Sequence, residues 1–261
     1  MTARVVMYSG GIGSWAAAKR VAEQHGLVDL TLLFCDTLIE DRDLYRFLGE
    51  AAENVGPDVL LRITDGRTPW QLFHDEGMIA NTRVDLCSRI LKRDLSDKWL
   101  AENCDPADTV VYLGLDWSEA HRFDSGTRGA RHRYAALGWH AEAPMTEPPY
   151  LTKPDMIAWA LDEGLQPSRA YAQGFAHDNC GGFCVKAGIG HFAHLLRTRP
   201  EVYREHERQE ADFGKHTILR DRSGGTTKPL SLRALRQRLE AGGQVDMFDI
   251  GGCGCFSEGT P

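Results

Sequence analysis

The opening stretch restricts the architecture more than any other part of the chain. Residues 5–8, Val-Val-Met-Tyr, read as a buried strand and residues 15–23 as a helix, with Ser9-Gly10-Gly11-Ile12-Gly13-Ser14 between them. Glycines let the backbone turn sharply and bring N–H groups close to a ligand. The helix that follows points its unpaired N–H groups and positive dipole end back into the turn. Strand, loop and helix start together make an anion cradle, for which phosphate is the usual occupant. The loop lacks the Gly-Lys-Ser/Thr ending of a Walker loop and does not fit G-x-G-x-x-G. A tight turn without a ligand is the competing reading of the same residues.

Strand and helix then alternate. Residues 30–35, 59–63 and 109–113 are short apolar runs with the length of buried parallel strands. Residues 40–53 carry Leu44, Phe47, Leu48 and Ala51 at helical spacing, and a stripe through Ile90, Leu91, Leu95 and Trp99 follows later. Such alternation predicts an α/β fold with a parallel sheet and helices on both faces. Ligands bind such sheets beyond the carboxyl ends of the strands, where the glycine loop, Asp36 and Gly114 all fall. In the less regular second half, residues 145–151 form a proline-rich link. Thr152 caps a helix with Asp155 at N3, residues 179–184 make a cysteine-bearing turn, and helices cover 189–197, 200–213 and 230–239. The absence of internal repeats favours a catalytic domain over 1–190 and a C-terminal helical extension over 191–261, ending in a Cys-rich tail.

The 30 basic and 37 acidic residues leave a net charge of −7, which argues against nucleic-acid binding driven by backbone charge alone. No apolar run is long enough for a membrane span and none reads as a signal region, so a cytoplasmic protein without a membrane partner is expected. In that compartment seven cysteines point to metal or catalytic thiols more than to disulfides.

In its ordered motifs the chain resembles the phosphoadenosine-phosphosulfate reductase-like branch of the adenine-nucleotide α-hydrolase superfamily, the PP-loop ATP pyrophosphatases. The glycine loop is similar to the family's SGGxxS pyrophosphate loop. Cys87-Ser88-Arg89-Ile90-Leu91-Lys92 is similar to its Cys-x-x-x-Lys segment, and Gly114 to Glu119 with Arg122 to its G-x-R-x-x-E-S-x-x-R segment, with Asp116 in place of arginine. Thr152-Lys153-Pro154-Asp155, Gly164 to Tyr171, Gly174-Phe175 and Cys180 follow in the family's order, so the likeness covers about residues 4–190. It implies a Rossmann-like twisted parallel sheet that binds ATP with Mg2+ through Ser9, Gly10, Gly11, Ile12, Gly13, Ser14, Asp36 and Gly114. Lys92, Arg89 and Arg122 become the candidate catalytic cations. Two departures stand out: Gly13 occupies the position where ATP-cleaving relatives carry Asp, and the tail around Cys253 and Cys255 lacks the Glu and His of the reductases' Glu-Cys-Gly-x-His motif.

Cys180 and Cys184 share one glycine-rich turn and Cys253 and Cys255 another, while Cys87 opens the Arg/Lys segment. Glycine-rich loops of this kind fold around clusters and zinc, and relatives of the family carry 4Fe–4S clusters. The preferred ligands are Cys87, Cys180, Cys184 and Cys253, leaving Cys255 as a free, catalytic thiol. Zinc, packed thiols and a redox disulfide pair are the alternatives. Cys35 and Cys104 read as ordinary packing or surface residues, and Arg93 as a solvated helix position. Lys186 is a further anion-site candidate, His177 sits near the thiols or on the surface, and the basic stretch 121–133 reads as a mobile loop. Three functions follow: an enzyme that cleaves ATP to AMP and pyrophosphate while activating an acceptor, with sulfur transfer as a sequel; a thiol-dependent phosphosulfate reductase; and a nucleotide-binding accessory protein of a phage, plasmid or defence system. The acceptor is open between a nucleic acid and a protein, and a homodimer is a candidate assembly.

Overall fold

The computed structural model describes residues 2–80, 84–222, 225–249 and 251. Its centre is a five-stranded, wholly parallel sheet: β1 (Ala3–Met7), β2 (Leu30–Asp36), β3 (Leu60–Thr64), β4 (Thr109–Leu113) and β5 (His140–Glu142), in the order β3-β2-β1-β4-β5. Helix α1 (Ile12–His25) joins β1 to β2, and α2 (Arg42–Val55) joins β2 to β3. Next come α3 (Pro69–Glu76), the short α4 (Leu86–Ser88), a π-helical turn over Arg89–Asp94, and α5 (Leu95–Asn103). Between β4 and β5 lie α6 (Ala120–Phe123) and α7 (Ala130–Ala136). The chain continues through α8 (Lys153–Asp162), α9 (Arg169–Ala172), α10 (Ile189–Thr198) and α11 (Pro200–Phe213). It then forms an antiparallel hairpin, β6 (Leu219–Asp221) and β7 (Lys228–Leu230), and α12 (Leu232–Glu240).

Strand alternation divides β1 between two cores. Val6 and Tyr8 face α1, α2 and α8, packing with Trp15, Phe47, Met156 and Ala160, whereas Val5 and Met7 face Leu100, Phe123 and Tyr134. A third core gathers Trp70, Phe73 and Leu91 with Phe183, Phe192, Tyr203 and Leu235, so α10 to α12 pack against the segment that carries Cys87 and Lys92. β1 has β2 on one side and β4 on the other, and the chain leaves its carboxyl end straight into the glycine loop. That end is the topological switch point, where the crevice of such a sheet opens.

The four expected strands and the Thr152–Asp155 capping box are present. β5 and the hairpin are additions: each strand has three residues and no apolar run to announce it. The basic stretch 121–133, expected as a mobile loop, instead runs through α6 and into α7, with Arg131 over the Phe123 ring and Arg133 paired 2.5 Å from Asp97. Among the described residues no helix is long and apolar enough to cross a membrane. The expected Cys-rich tail, with Cys253 and Cys255, lies outside the described residues.

Trp15 links these layers. It is fully buried, its ring centroid lies 4.8 Å from that of Trp159 in α8, and its Nε1–H donates to Asn54 at 3.1 Å. Trp15→Ala should cost about 3–5 kcal/mol, read as a fall in the urea unfolding midpoint. An unchanged midpoint would contradict the packing.

Candidate functional site

The glycine loop is built by contacts from three directions. Gly10 has φ +76°, a left-handed conformation that favours glycine, and a Cβ there would lie 3.1 Å from both Leu44 and Leu48 of α2. A Cβ at Gly114 would stand only 2.6 Å from the Cα of Ser14, and one at Gly13 would stand 3.1 Å from the carbonyl oxygen of Gly114. The end of β4 and the start of α1 therefore interlock, so Gly114 is required by backbone packing whatever else it contacts. Gly13, where a carboxylate was the family expectation, lies in the same close approach. Ser14 Oγ donates to the Gly11 carbonyl at 2.8 Å and Ser9 Oγ to Ser14 Oγ at 3.3 Å, holding the loop in shape. The first turn of α1 carries no acidic residue, so no side-chain carboxylate there neutralises the positive end of the helix dipole. One of its N–H groups, that of Ile12, donates to the hydroxyl of Tyr171 in α9 at 2.9 Å.

Asp36 sits at the sheet edge as expected, but its carboxylate is engaged by the protein. It accepts from Leu38 N–H at 2.8 Å and Tyr45 O–H at 2.7 Å, and pairs with Arg62. Asp116 caps the turn after β4, accepting from Ser118 N–H at 2.8 Å.

The Cys87–Lys92 segment reaches the same edge through the π-turn, a helical irregularity frequent at functional sites. Lys92 is buried with its Nζ 3.8 Å from Glu40. Burial raises the pKa of Glu40, opposed by Lys92, by the Thr37 hydroxyl at 3.0 Å and by the backbone N–H of Cys180. Arg93 is a correction: expected on a solvated face, it is 3% exposed and paired with Asp85 at 2.7 Å. Arg89 lies half-buried one turn before Lys92, and Arg122 pairs with Glu119 on α6.

Cys87, Cys180 and Cys184 line one cavity of about 20 Å³, together with Ser88, Lys92 and Lys186. That volume holds roughly one water. Cys180 has φ +55° and is followed by Gly181 and Gly182 at +62° and +88°. A non-glycine residue in this region is strained and persists only where its surroundings enforce it. Here a Cβ on Gly181 would lie 2.7 Å from the Ile39 carbonyl, so the turn is pressed against the β2–α2 loop. The donor chemistry of three thiols suits a cluster or zinc. Yet among the described residues no group of three His, Cys, Asp or Glu side chains is spaced to hold a metal ion. The fourth expected ligand, Cys253, and the candidate thiol Cys255 lie outside the described residues. Cys35 is buried away from this cavity, as expected, and burial pushes its thiol up to about 12.

His177 registers how these segments converge. Burial, then the charges of His191, Lys153, Lys92 and Arg122, push its pKa down to about 4, and its Nδ1 is buried without a partner. Lys153 donates to the neighbouring Ala176 carbonyl at 2.6 Å, and the His191 ring lies 6.1 Å away and nearly parallel. Cations from α8, the π-turn and α6 thus act on one imidazole. Lys153, Glu40, Tyr171 and Arg199 were not singled out in the sequence as site residues; each acts through a partner remote in the chain. No protein-family model matches the chain, and no curated protein aligns with it significantly.

His177 and His206, the latter lowered to about 3 by burial, are held neutral below the ordinary histidine value of 6.5. Their stabilising neutral burial is fully present above pH 6.5 and is lost as pH falls toward 4. Asp178, raised to about 6 by burial, works in the opposite sense. The direct check is an NMR titration of the His177 Cε1–H resonance: a midpoint near 4 is expected, and one near 6.5 contradicts its burial among cations.

Proposed function

We propose that the protein binds ATP across the carboxyl edge of the sheet and cleaves it between the α- and β-phosphates, transferring adenylate to an acceptor and releasing pyrophosphate. The observation that carries this reading is the glycine loop at the switch point, followed by an acid-free helix start, with the buried Lys92 paired to Glu40 at the same sheet edge. The N–H groups of the loop would bind the β- and γ-phosphates. Lys92, Arg89 and Arg122 would stabilise the charge that develops on the leaving pyrophosphate. Mg2+ would neutralise phosphate charge. Gly13 offers it no carboxylate and Asp36 is engaged by Arg62 and Tyr45, so the phosphates themselves are its proposed ligands. Cys87, Cys180 and Cys184 are the candidate ligands of a 4Fe–4S cluster with Cys253, zinc being the runner-up; among the described residues they are not spaced to hold a metal ion, so no step of the reaction is assigned to the cluster.

Anaerobically purified protein tests both parts. ATP turnover should release pyrophosphate and AMP, and Lys92→Ala should lower that rate at least tenfold. Sulfite released from a phosphosulfate, without pyrophosphate from ATP, would establish the reductase instead. Nucleotide binding without turnover would favour the accessory protein. For the cluster, iron and visible absorbance near 400 nm, roughly the range expected of thiolate-bound iron, should disappear in Cys180→Ser and Cys184→Ser but persist in Cys104→Ser. Colourless, iron-free wild-type protein would end the cluster proposal.

A further inference from the structure

Tyr171 lies 159 positions from Ile12 in the chain, yet its hydroxyl accepts the Ile12 N–H at 2.9 Å. Its placement is determined by more than this bond. Ser168 caps α9 and donates to Asp178, the Arg169 N–H donates to Asp43 at 2.6 Å, and the Arg169 guanidinium pairs with Asp41 at 2.7 Å. Helix α9 is therefore pinned to the β2–α2 junction with its tyrosine directed at the glycine loop. Gly11 makes room: a Cβ there would lie 3.2 Å from the Tyr171 hydroxyl.

A phenol has one proton to donate and lone pairs to accept with. The Tyr171 oxygen already accepts from Ile12, and among the described residues this is the one hydrogen bond to its hydroxyl, which leaves its own proton to donate. Burial pushes its pKa up to about 12, so the proton stays in place at neutral pH. Tyr171 packs against the core that holds Tyr8, whose fully buried hydroxyl has no hydrogen-bond partner among the described residues. The Tyr171 hydroxyl thus stands at a helix start that has no acidic residue in its first turn. Spare donors without protein acceptors are the chemistry of an anion site.

We infer that Tyr171 is a ligand-contacting member of the phosphate cradle: its oxygen accepts the Ile12 N–H while its O–H donates to a phosphate oxygen of the bound pyrophosphate moiety. The phenol relays the polarity of the loop one bond further out, so the cradle is completed by a residue from the second half of the chain. This rests on the ATP-binding reading above and adds to it a specificity element for the β,γ-pyrophosphate over the nucleoside monophosphate end.

The experiment is calorimetric titration of the full chain with ATP, inorganic pyrophosphate and AMP, comparing wild type with Tyr171→Phe, which keeps the ring. Gly11→Ala, which crowds the hydroxyl without altering it, is the second variant. Both variants should bind ATP and pyrophosphate about tenfold more weakly, the loss of roughly one hydrogen bond to a charged group, with AMP affinity unchanged. Wild-type-like binding by Tyr171→Phe overturns the inference while leaving the loop reading intact. Tighter binding overturns it too, because the phenol would then be blocking the cradle. Equal losses for AMP mean a disturbed fold rather than a phosphate contact, and also overturn it. Wild type that binds neither ATP nor pyrophosphate overturns this inference and the ATP reading together.

Discussion

Arg199 is the interaction on which the site's geometry depends. It follows α10, is almost wholly buried, and uses its guanidinium in several directions at once. Its Nε donates to Gln173 at 2.8 Å, and one terminal nitrogen donates to the Gly181 carbonyl at 3.0 Å while standing 3.0 Å from Asp41. The other terminal nitrogen faces Asp178 at 4.0 Å, and the Phe175 ring lies beneath at 4.9 Å. One side chain thus joins the β2–α2 loop, the α9 segment and the cysteine turn. Removing one partner of a buried ion pair costs about 3–5 kcal/mol because the other charge is left buried and uncompensated. Burial disfavours the charge on Arg199, and Asp41 and Asp178 offset that in part. The same contacts enforce the left-handed backbone of Cys180 to Gly182, and through Asp41 and Arg169 they fix the approach of Tyr171 to the glycine loop.

A second consequence is electrostatic. Glu40 ties Lys92 to the Cys180 backbone N–H, so the cation, the cysteine turn and the sheet edge share one buried carboxylate. Lys153 and Arg122 act on the same imidazole as Lys92. An overall charge of −7 therefore coexists with several cations acting on one buried imidazole.

The sheet was legible because its strands are short apolar runs that alternate with helical stripes, as residues 30–35 and 109–113 illustrate. Local chemistry was legible too: Thr152 and Asp155 form the capping box their spacing announces. What escaped depends on distant partners. Arg93 looked solvated because Asp85 and the third core become its surroundings only after folding. Asp36 looked free to bind a ligand because Arg62, one strand away, cannot be assigned to it before the register of β2 and β3 is known. Arg199 sits in a polar stretch, and its neighbours in sequence say nothing of Asp41 or Gly181. β5, with the residues His140, Ala141 and Glu142, has no apolar run at all.

The most direct test of ATP binding at the glycine loop is a crystal structure with an ATP analogue bearing a methylene bridge between the α- and β-phosphorus atoms. The expected result is β- and γ-phosphate density on the N–H groups at the start of α1, within hydrogen-bond reach of Tyr171, with Lys92 and Arg122 facing the phosphates. Density for the analogue elsewhere, with the Ile12 N–H still bonded only to Tyr171, would contradict it.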